Sequence, residues 1–317
     1  MGGGTPSIVP VTCIRKILDP VDISTVKEFT VEANPESLDD CWLEGMLDTG
    51  ANRISIGVQS FDNVVLENLG RIHNNKNAVE AIKSARFVGF SKLSLDLMYG
   101  VPGQTLDIWR ETLELSVELE PDHISAYSLG IEEDSQYFAC AAAGGLELPD
   151  DAETVEMYEI LVEILGEHGI ERYEISNFAR KGSECLHNLA YWNGTPYLGI
   201  GASAHSYDGT HREWNIKSPE AYCASIESSG SAVDGSEEIG ESIRALEYIM
   251  LSLRTSKGLR IEDIGILNVS ARDSINRLIS YYRKNGFLCR NESGDTVLTE
   301  KGAMLADEIA GEIASYL

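Results

Sequence analysis

The residues of this chain that could take part in chemistry lie near the ends of strand-like segments. In the segment 93–105, apolar and polar residues alternate with the two-residue period of a strand, and a turn rich in glycine and proline follows. Asp96 lies near the carboxyl end of this predicted strand. Parallel α/β sheets hold their ligands at that end, so Asp96 is a candidate binding residue, although its carboxylate could instead bond a neighbouring backbone amide.

Comparable positions follow other predicted strands. Glu32 belongs to a strand over 29–34, Gln59 directly follows a strand over 53–58, and Gly130 follows a strand over 123–129. Arg71 lies just beyond one of these segments. Because the carboxyl ends of parallel strands meet at one face, these residues together predict a site.

The elements that position these residues alternate between strand and helix. Thr105 is a candidate cap for a helix whose apolar face carries Leu106, Trp109, Leu113 and Val117. Further helices are predicted within 40–50, with Ser37 or Asp39 as its cap, and within 64–69, 78–88 and 152–165. A loosely patterned segment over 130–150 precedes the last of these helices, and 172–178 is the last predicted strand of this type. The alternation predicts a parallel sheet with right-handed crossovers, which either an open doubly wound sheet or a barrel would satisfy.

The remainder of the chain has a different texture. Residues 179–215 are predicted as an aromatic and glycine-rich loop region, and the chain past Pro219 is predicted as helical. The last sixty or so residues predict a winged helix, with a hairpin turning at Gly294 and Asp295 and a final helix capped by Thr299. From Gly258 onward there are seven basic and nine acidic residues, which favours a packing module over a DNA-binding one.

Composition limits the classes of partner. Fifty-one acidic against twenty-five basic residues give a net charge of −26, which disfavours nucleic acid and anionic membranes as partners. The sequence shows no apolar run of membrane-spanning length and no signal segment, so we expect a cytoplasmic protein without membrane insertion. Its six cysteines show no C-x-x-C spacing, which predicts free thiols and no metal site built from them.

The chain opens on a glycine turn, Met1 to Pro6, that no strand precedes. Such a turn normally ends a strand and lets the backbone approach a ligand. From composition alone, a flexible terminus without a role would be the preferred interpretation.

Several strings together point to a known family. They are GGGTP, VEANP, IGVQSF, GRIH, LDLMYGVPGQT, HISAYSL, YEISNFA, HNLAYW and GIGASAHS. The chain resembles the radical S-adenosylmethionine (SAM) enzymes of the oxygen-independent coproporphyrinogen III oxidase family, almost continuously from Gly2 to about Asn215 and more weakly beyond. Its C-x-H-N-x-x-Y-W segment resembles the haem-chaperone branch more than the oxidases.

The resemblance implies a fold and a set of site residues. The fold is a partial (β/α)6 TIM-like barrel of the radical SAM type that lacks its first strands, followed by a helical, winged-helix-like module; we place the domains at 1–215 and 216–317. Gly3, Gly4 and Thr5 would meet the methionyl amino group of SAM. The positions that match the nucleoside pocket are Glu32, Gln59, Arg71, Asp96 and Gly130. His205 would lie near the adenine, and His187 matches the candidate haem ligand.

One departure from the family is the absence of its C-x-x-x-C-x-x-C loop, which carries a [4Fe-4S] cluster. None of the six cysteines replaces it, so we expect no cluster in this chain and no radical chemistry from it alone. The preceding strand is missing as well. We expect the sequence to begin at an internal methionine of a longer gene, with a true loss of the cluster as the alternative.

The function that the resemblance implies is that of a haem chaperone, which would bind SAM and haem and pass haem to acceptor proteins. A coproporphyrinogen III oxidase and a ligand-binding scaffold without a cluster are the two alternatives. A [4Fe-4S] cluster is expected only in a full-length parent. The sequence names neither the acceptor, nor the electron donor, nor the oligomeric state.

Overall fold

The computed structural model describes residues 1–130 and 148–317. These residues form two compact units, Met1–Cys185 and Leu186–Leu317, which are described separately below. The boundary expected after residue 215 falls inside the second unit. Most of the loosely patterned segment expected over 130–150 lies outside the described residues.

The first unit is built on a sheet in which four strands run parallel. These are β1 (Thr30–Ala33), β2 (Arg53–Gln59), β3 (Lys92–Tyr99) and β4 (His123–Ser128). Two short strands, β5 (Glu171–Arg172) and β6 (Asn177–Ala179), complete the sheet in the order β1-β2-β3-β4-β6-β5. The predicted α/β class with a parallel sheet is confirmed.

Helices alternate with these strands as the sequence predicts. They are α1 (Val11–Leu18), α2 (Asp40–Asp48), α3 (Asn63–Asn68), α4 (Asn75–Val88), α5 (Leu106–Glu118) and α6 (Asp151–Glu167). Side chains cap two of them at the predicted positions. The Trp42 amide donates to the Asp39 carboxylate over 2.7 Å, and the Ile108 amide donates to the Thr105 hydroxyl over 3.2 Å.

Alternation along the strands separates an apolar face from a polar one. Ile54, Ile56, Leu93 and Leu95 are completely buried in the core. The residues between them point to the opposite face and are largely polar, because successive side chains of a strand alternate. Parallel pairing therefore gathers the candidate residues of β1, β2 and β3 on one face of the sheet.

The segment 172–178 is not one barrel strand, and this prediction was wrong. The amides of Tyr173 and Glu174 donate to the carbonyl oxygen of Asn177, which turns the chain back on itself between β5 and β6. β6 then pairs antiparallel with β4. The segment is too short for its pattern of apolar residues to distinguish one strand from two strands joined by a turn.

The second unit begins with α7 (Leu186–Trp192) and continues into an antiparallel sheet of β7 (His205–Tyr207), β8 (His211–Asn215) and β9 (Val233–Glu238). The loop predicted over 179–215 is corrected by α7, β7 and β8, and β9 corrects the helical prediction for the residues that follow Pro219. β9 has the sequence VDGSEE, and most of the residues after Val233 have low strand propensity. β9 is stabilised by its hydrogen bonds to β8 and not by its own residues, so the local sequence pattern does not predict the strand.

The other elements of this unit follow the sequence-based expectations more closely. They are α8 (Pro219–Ser229), α9 (Glu241–Leu253), α10 (Val269–Lys284), β10 (Leu288–Arg290), β11 (Thr296–Leu298), α11 (Glu300–Ala303) and α12 (Ala306–Ala314). β10 and β11 form the predicted antiparallel hairpin. The expected single final helix is divided into α11 and α12, because the chain leaves helical geometry at Leu305 (φ −116°, ψ 25°).

Membrane-spanning helices were also sought. Across residues 1–130 and 148–317, no helix is both long and apolar enough to cross a bilayer.

A buried ion pair connects the start of β2 to the last residues of the first unit. The Arg53 guanidinium lies 3.6 Å from the Glu28 carboxylate, and their side chains are only 2% and 5% exposed. Arg53 also donates to the carbonyl oxygen of Ser183 over 2.8 Å, and the Cys185 thiol lies 3.5 Å from Glu28. Each charge is costly to bury, so the two side chains depend on one another.

We therefore expect Glu28→Gln to lower the free energy of unfolding by about 3 kcal/mol, because it leaves the Arg53 charge buried without its counter-ion. Urea unfolding followed by circular dichroism measures the change. Asp48→Asn is the control, because it removes one partner of the exposed Arg15–Asp48 pair. Equal stability of the Glu28→Gln and parent proteins would contradict this account of the pair.

Candidate functional site

The N-terminal glycine turn lies against the edge of β1. The Glu32 amide donates to the carbonyl oxygen of Met1 over 3.0 Å, so the first residue continues the hydrogen bonding of the sheet. Gly2 packs directly on the Glu32 carboxylate, and a Cβ there would overlap it. Gly3 follows with φ +80°, a conformation that favours glycine. The turn therefore brings flexible backbone beside a carboxylate.

Asn34 connects this turn to Arg71. Its side-chain amide donates to the Thr5 hydroxyl over 3.3 Å and accepts from the Arg71 guanidinium over 3.4 Å. Sequence reasoning did not select Asn34. The signal was present, because Asn34 lies two residues after Glu32 and so has the same strand parity, directly before Pro35.

Arg71 retains a buried donor that no described residue satisfies. Its Nη2 donates to the carbonyl oxygen of Gly57 over 3.2 Å, whereas its Nε is buried and has no hydrogen-bond partner in residues 1–130 and 148–317. A buried N–H without a partner costs free energy, which a ligand carboxylate or carbonyl oxygen would recover.

Gly57 allows three polar groups to meet. A Cβ at this position would lie 2.9 Å from Asn34 Oδ1 and 3.0 Å from both Arg71 Nη2 and Gln59 Nε2. β2 is irregular here, since its register with β3 shifts between Ile56 and Gln59. Gln59 itself has φ +64°, which is uncommon outside glycine.

His73 holds this irregular strand end in place. One ring nitrogen lies 3.1 Å from the carbonyl oxygen of Val58, and the other lies 3.0 Å from the Glu36 carboxylate. The imidazole is buried. His73 therefore joins the end of β2 to the segment that follows β1, and the conformation of Gln59 is supported from outside the strand.

The sequence predicted that Asp96 would lie near the carboxyl end of its strand. It lies instead in the middle of β3. The Ser55 hydroxyl lies 3.0 Å and 3.2 Å from its two carboxylate oxygens. Burial raises the pKa of Asp96 to about 6, and the nearby Glu32 charge acts in the same direction. Hydrogen bonds from Ser125 and Ser55 and the charge of Arg53 oppose the rise.

The structure thus brings Thr5, Glu32, Gln59, Arg71 and Asp96 to one region of the first unit. Gly4 is exposed in the glycine turn, and Gly130 is exposed just after β4. Ser55, which sequence reasoning also missed, belongs to the same polar face because it pairs with Glu32 on one side and Ser94 on the other.

The two histidines selected from the sequence belong to the second unit. His205 is exposed at the start of β7, and its ring centroid lies 6.1 Å from that of Trp214. His187 is also exposed, but it lies in α7 and not in a loop as predicted. Helical spacing places His187 over Tyr191, with ring centroids 4.7 Å apart in an edge-to-face arrangement.

An aromatic row extends from His187 across the second unit. The centroids of Tyr191 and Tyr197 are 4.6 Å apart, and those of Tyr197 and Tyr207 are 6.2 Å apart. We call His187, Tyr191, Tyr197 and Tyr207 the aromatic row. Its members come from α7, β7 and the loop between them, so local periodicity does not reveal it.

Comparison with known proteins identifies the class. Residues 1–116 match the family model of the radical SAM superfamily. The fold is similar to that of "Coproporphyrinogen III oxidase (HemN) from Escherichia coli", with a TM-score of 0.82 at 23% identity over 100% of this chain and 77% of that one. Residues 1–116 therefore match a radical SAM domain, and the TIM-like fold expected for that superfamily is confirmed.

Curated relatives narrow the class further. The chain is 34% identical to "Heme chaperone HemW" of Bacillus subtilis over 100% of this chain and 85% of the relative. It is 33% identical to proteins of the same name from Lactococcus lactis, over 83% and 70%, and from Mycobacterium tuberculosis, over 98% and 78%. Within the radical SAM proteins, it belongs to the HemW family.

Membership of the superfamily implies SAM and a [4Fe-4S] cluster, and the residues present fit these two groups differently. The carboxylates of Glu32 and Asp96 and the buried Arg71 Nε suit the polar edges of a nucleoside and an amino acid. Among the residues described, however, no three His, Cys, Asp or Glu side chains are placed to hold a metal ion. These residues therefore do not fit a cluster, and no role below depends on one.

The raised pKa of Asp96 makes a prediction about stability. Because its pKa is about 6 when folded and near 3.8 otherwise, folding favours the protonated form, and this contribution to stability is lost as pH rises from about 4 to 6. We expect Asp96→Asn to be more stable than the parent by about 2 kcal/mol above pH 7, and by much less at pH 4.5.

Urea unfolding at several pH values measures the difference. Glu114→Gln, on the exposed side of α5, is the control and should show no such pH dependence. An Asp96→Asn protein less stable than the parent at pH 7.5 would show that the ionised carboxylate stabilises the fold.

Proposed function

We propose that this protein binds haem and delivers it to acceptor proteins, using a SAM-binding barrel as its scaffold. The observation that carries the proposal is its relation, at 33–34% identity over 70% or more of their length, to proteins named heme chaperone. The acceptor would be another protein, and delivery in the cytoplasm belongs to the same proposal.

His187 is the proposed axial ligand of the haem iron. Its imidazole is exposed on α7, and a neutral imidazole is a common ligand of haem iron. Tyr191 lies one turn along the helix and offers an aromatic surface for a porphyrin. An exposed ligand on a short helix also suits a carrier, since the haem must leave again.

Cys185 is a weaker candidate for the ligand of the haem iron than its position two residues before His187 suggests. The two are close in sequence, but Cys185 is 7% exposed and its thiol lies 3.5 Å from the Glu28 carboxylate. A side chain this little exposed is poorly placed to bind a haem that must arrive from solvent and leave again.

For SAM, we propose that different residues on the polar face of the first unit bind different groups of the ligand. Glu32 and Asp96 would accept from the ribose hydroxyls or the ammonium group, while Arg71 and Gln59 would bind carboxylate and other polar edges. Gly3, Gly4, Thr5 and Gly130 would contribute mainly backbone, and we extend the proposal to His205 near the adenine. SAM, when bound beside a reduced cluster, supplies radical chemistry; the residues here only bind and orient it.

The oxidase alternative has weaker support. The similarity to the Escherichia coli oxidase is 23% in sequence, which supports a common fold and not a common reaction. The Bacillus subtilis, Lactococcus lactis and Mycobacterium tuberculosis relatives, at 33–34% identity over 70% or more of their length, carry the chaperone name instead.

The SAM part of the proposal is tested by calorimetry. We expect Asp96→Asn to weaken SAM binding about ten- to a hundredfold, because a charge-assisted hydrogen bond contributes about 1.5–3 kcal/mol. The variant is also expected to be stable, so lost binding would not reflect unfolding. Glu114→Gln is the control, and equal affinity of the Asp96→Asn and parent proteins would remove Asp96 from the pocket.

The haem part is tested by titrating haem and following the Soret band. We expect His187→Ala to weaken binding at least tenfold, about 1.4 kcal/mol, and to shift the band, because the iron loses its ligand. Cys185→Ser and His211→Ala, which changes an exposed histidine of β8, should behave like the parent. If His187→Ala changes neither affinity nor band position, His187 is not the ligand.

A further inference from the structure

The second unit encloses a cavity of about 520 Å³ that the proposed ligand residue does not line. This volume lies within the range of about 300–1,000 Å³ that is common for small-molecule sites. The walls come from the end of α7, the turn between β7 and β8, α9, and the segment 255–263. All of these elements belong to one compact unit.

Two cations on the cavity wall have only neutral partners in the described structure. Arg244 donates to the carbonyl oxygen of Ile239 over 3.3 Å, and Lys257 donates to the side-chain carbonyl of Asn193 over 3.0 Å. No ion pair to a carboxylate is found for either one among residues 1–130 and 148–317. This is notable in a chain with twice as many acidic as basic residues, because counter-ions are abundant.

Two other charges on the wall are paired with residues that do not line the cavity. Glu247 pairs with Arg212 at 2.8 Å, and Arg260 pairs with Asp295 at 3.4 Å. Asp263 is the remaining carboxylate of the lining, and it accepts from the Tyr248 hydroxyl over 3.2 Å. The cavity therefore holds two cations without acidic partners and one hydrogen-bonded carboxylate.

Aromatic side chains form much of the remaining wall. Trp192, Tyr207 and Tyr248 line the cavity, and all three are half-buried. Tyr207 is also the last member of the aromatic row, so the row leads from His187 to the cavity. Trp192 follows Tyr191 directly on α7, which gives a second connection.

We propose that this cavity binds the carboxylate-bearing edge of a flat aromatic ligand, with Arg244 and Lys257 contacting the carboxylates. Flat faces and carboxylates together describe a porphyrin with its propionates. The inference thus rests on the proposed haem function and adds residues that would determine specificity. Arg244 would offer a paired hydrogen bond, whereas Lys257 would act as a compact charge.

The test uses metal-free protoporphyrin IX and its dimethyl ester, whose carboxylates are blocked. Binding is followed by porphyrin fluorescence, which needs no iron and hence no His187. We expect Arg244→Gln and Lys257→Gln each to weaken protoporphyrin binding about tenfold, as for loss of one charge-assisted hydrogen bond near the surface. The dimethyl ester should bind weakly to parent and variants alike.

Two further variants sharpen the experiment. Asp263→Asn removes a negative charge from the same wall and should strengthen protoporphyrin binding severalfold, the opposite direction to the cation variants. Lys284→Gln removes an exposed cation of α10 that does not line the cavity and should change nothing. Circular dichroism confirms that each variant is folded.

The outcomes separate this inference from the proposed function. If haem binds through His187 but the Arg244→Gln and Lys257→Gln proteins bind protoporphyrin like the parent, the cavity does not hold the propionates and the haem function stands. If the cation variants weaken protoporphyrin while His187→Ala leaves haem unchanged, the cavity is supported and the ligand assignment fails. If the parent binds neither compound, both fail.

Discussion

Parallel pairing in register is the constraint on which both the core and the candidate site of the first unit depend. Glu32 lies opposite Ser55, Ser55 opposite Ser94, and Ser94 opposite His123, so polar residues form a row across the sheet. A slip of one residue would turn Leu93 and Leu95 to the polar face and bury Asp96 against the helices. The hydrophobic core and the position of the carboxylates are therefore set by the same register.

The site is richest where this regular pairing is interrupted. β2 loses its register after Ile56, and Gln59 adopts a left-handed conformation that a regular strand would not allow. Gly57 leaves room there for three polar groups from different elements. The irregular strand end is stabilised because the buried His73 ring hydrogen-bonds the carbonyl oxygen of Val58. A contact between residues far apart in sequence therefore offsets the local backbone strain.

This division explains what the sequence could predict. The alternation of β3 and the caps Asp39 and Thr105 are local signals, and they placed strands and helices correctly. The ends of the predicted strands indicated Gln59 and Arg71 as candidates, and the resemblance to a family supplied their expected roles. Asn34 was missed because its importance lies in bonds to Thr5 and Arg71, far away in sequence. β9 was missed because its stability comes from its partner strand, and α7 because glycine and aromatic residues around it resemble a loop.

The two units offer opposite chemistry, which matches the opposite charges of the two proposed ligands. The first unit gathers the carboxylates of Glu32 and Asp96, and Arg71 adds a buried N–H that has no partner among the described residues. Carboxylates favour the sulfonium and ammonium charges of SAM and repel the propionates of a porphyrin. The second unit gathers aromatic rings with Arg244 and Lys257, which favour a flat anion and repel a sulfonium. With a net charge of −26 over the whole chain, a site for an anionic ligand requires cations that are not already paired with carboxylates, and among the described residues Arg244 and Lys257 meet that requirement.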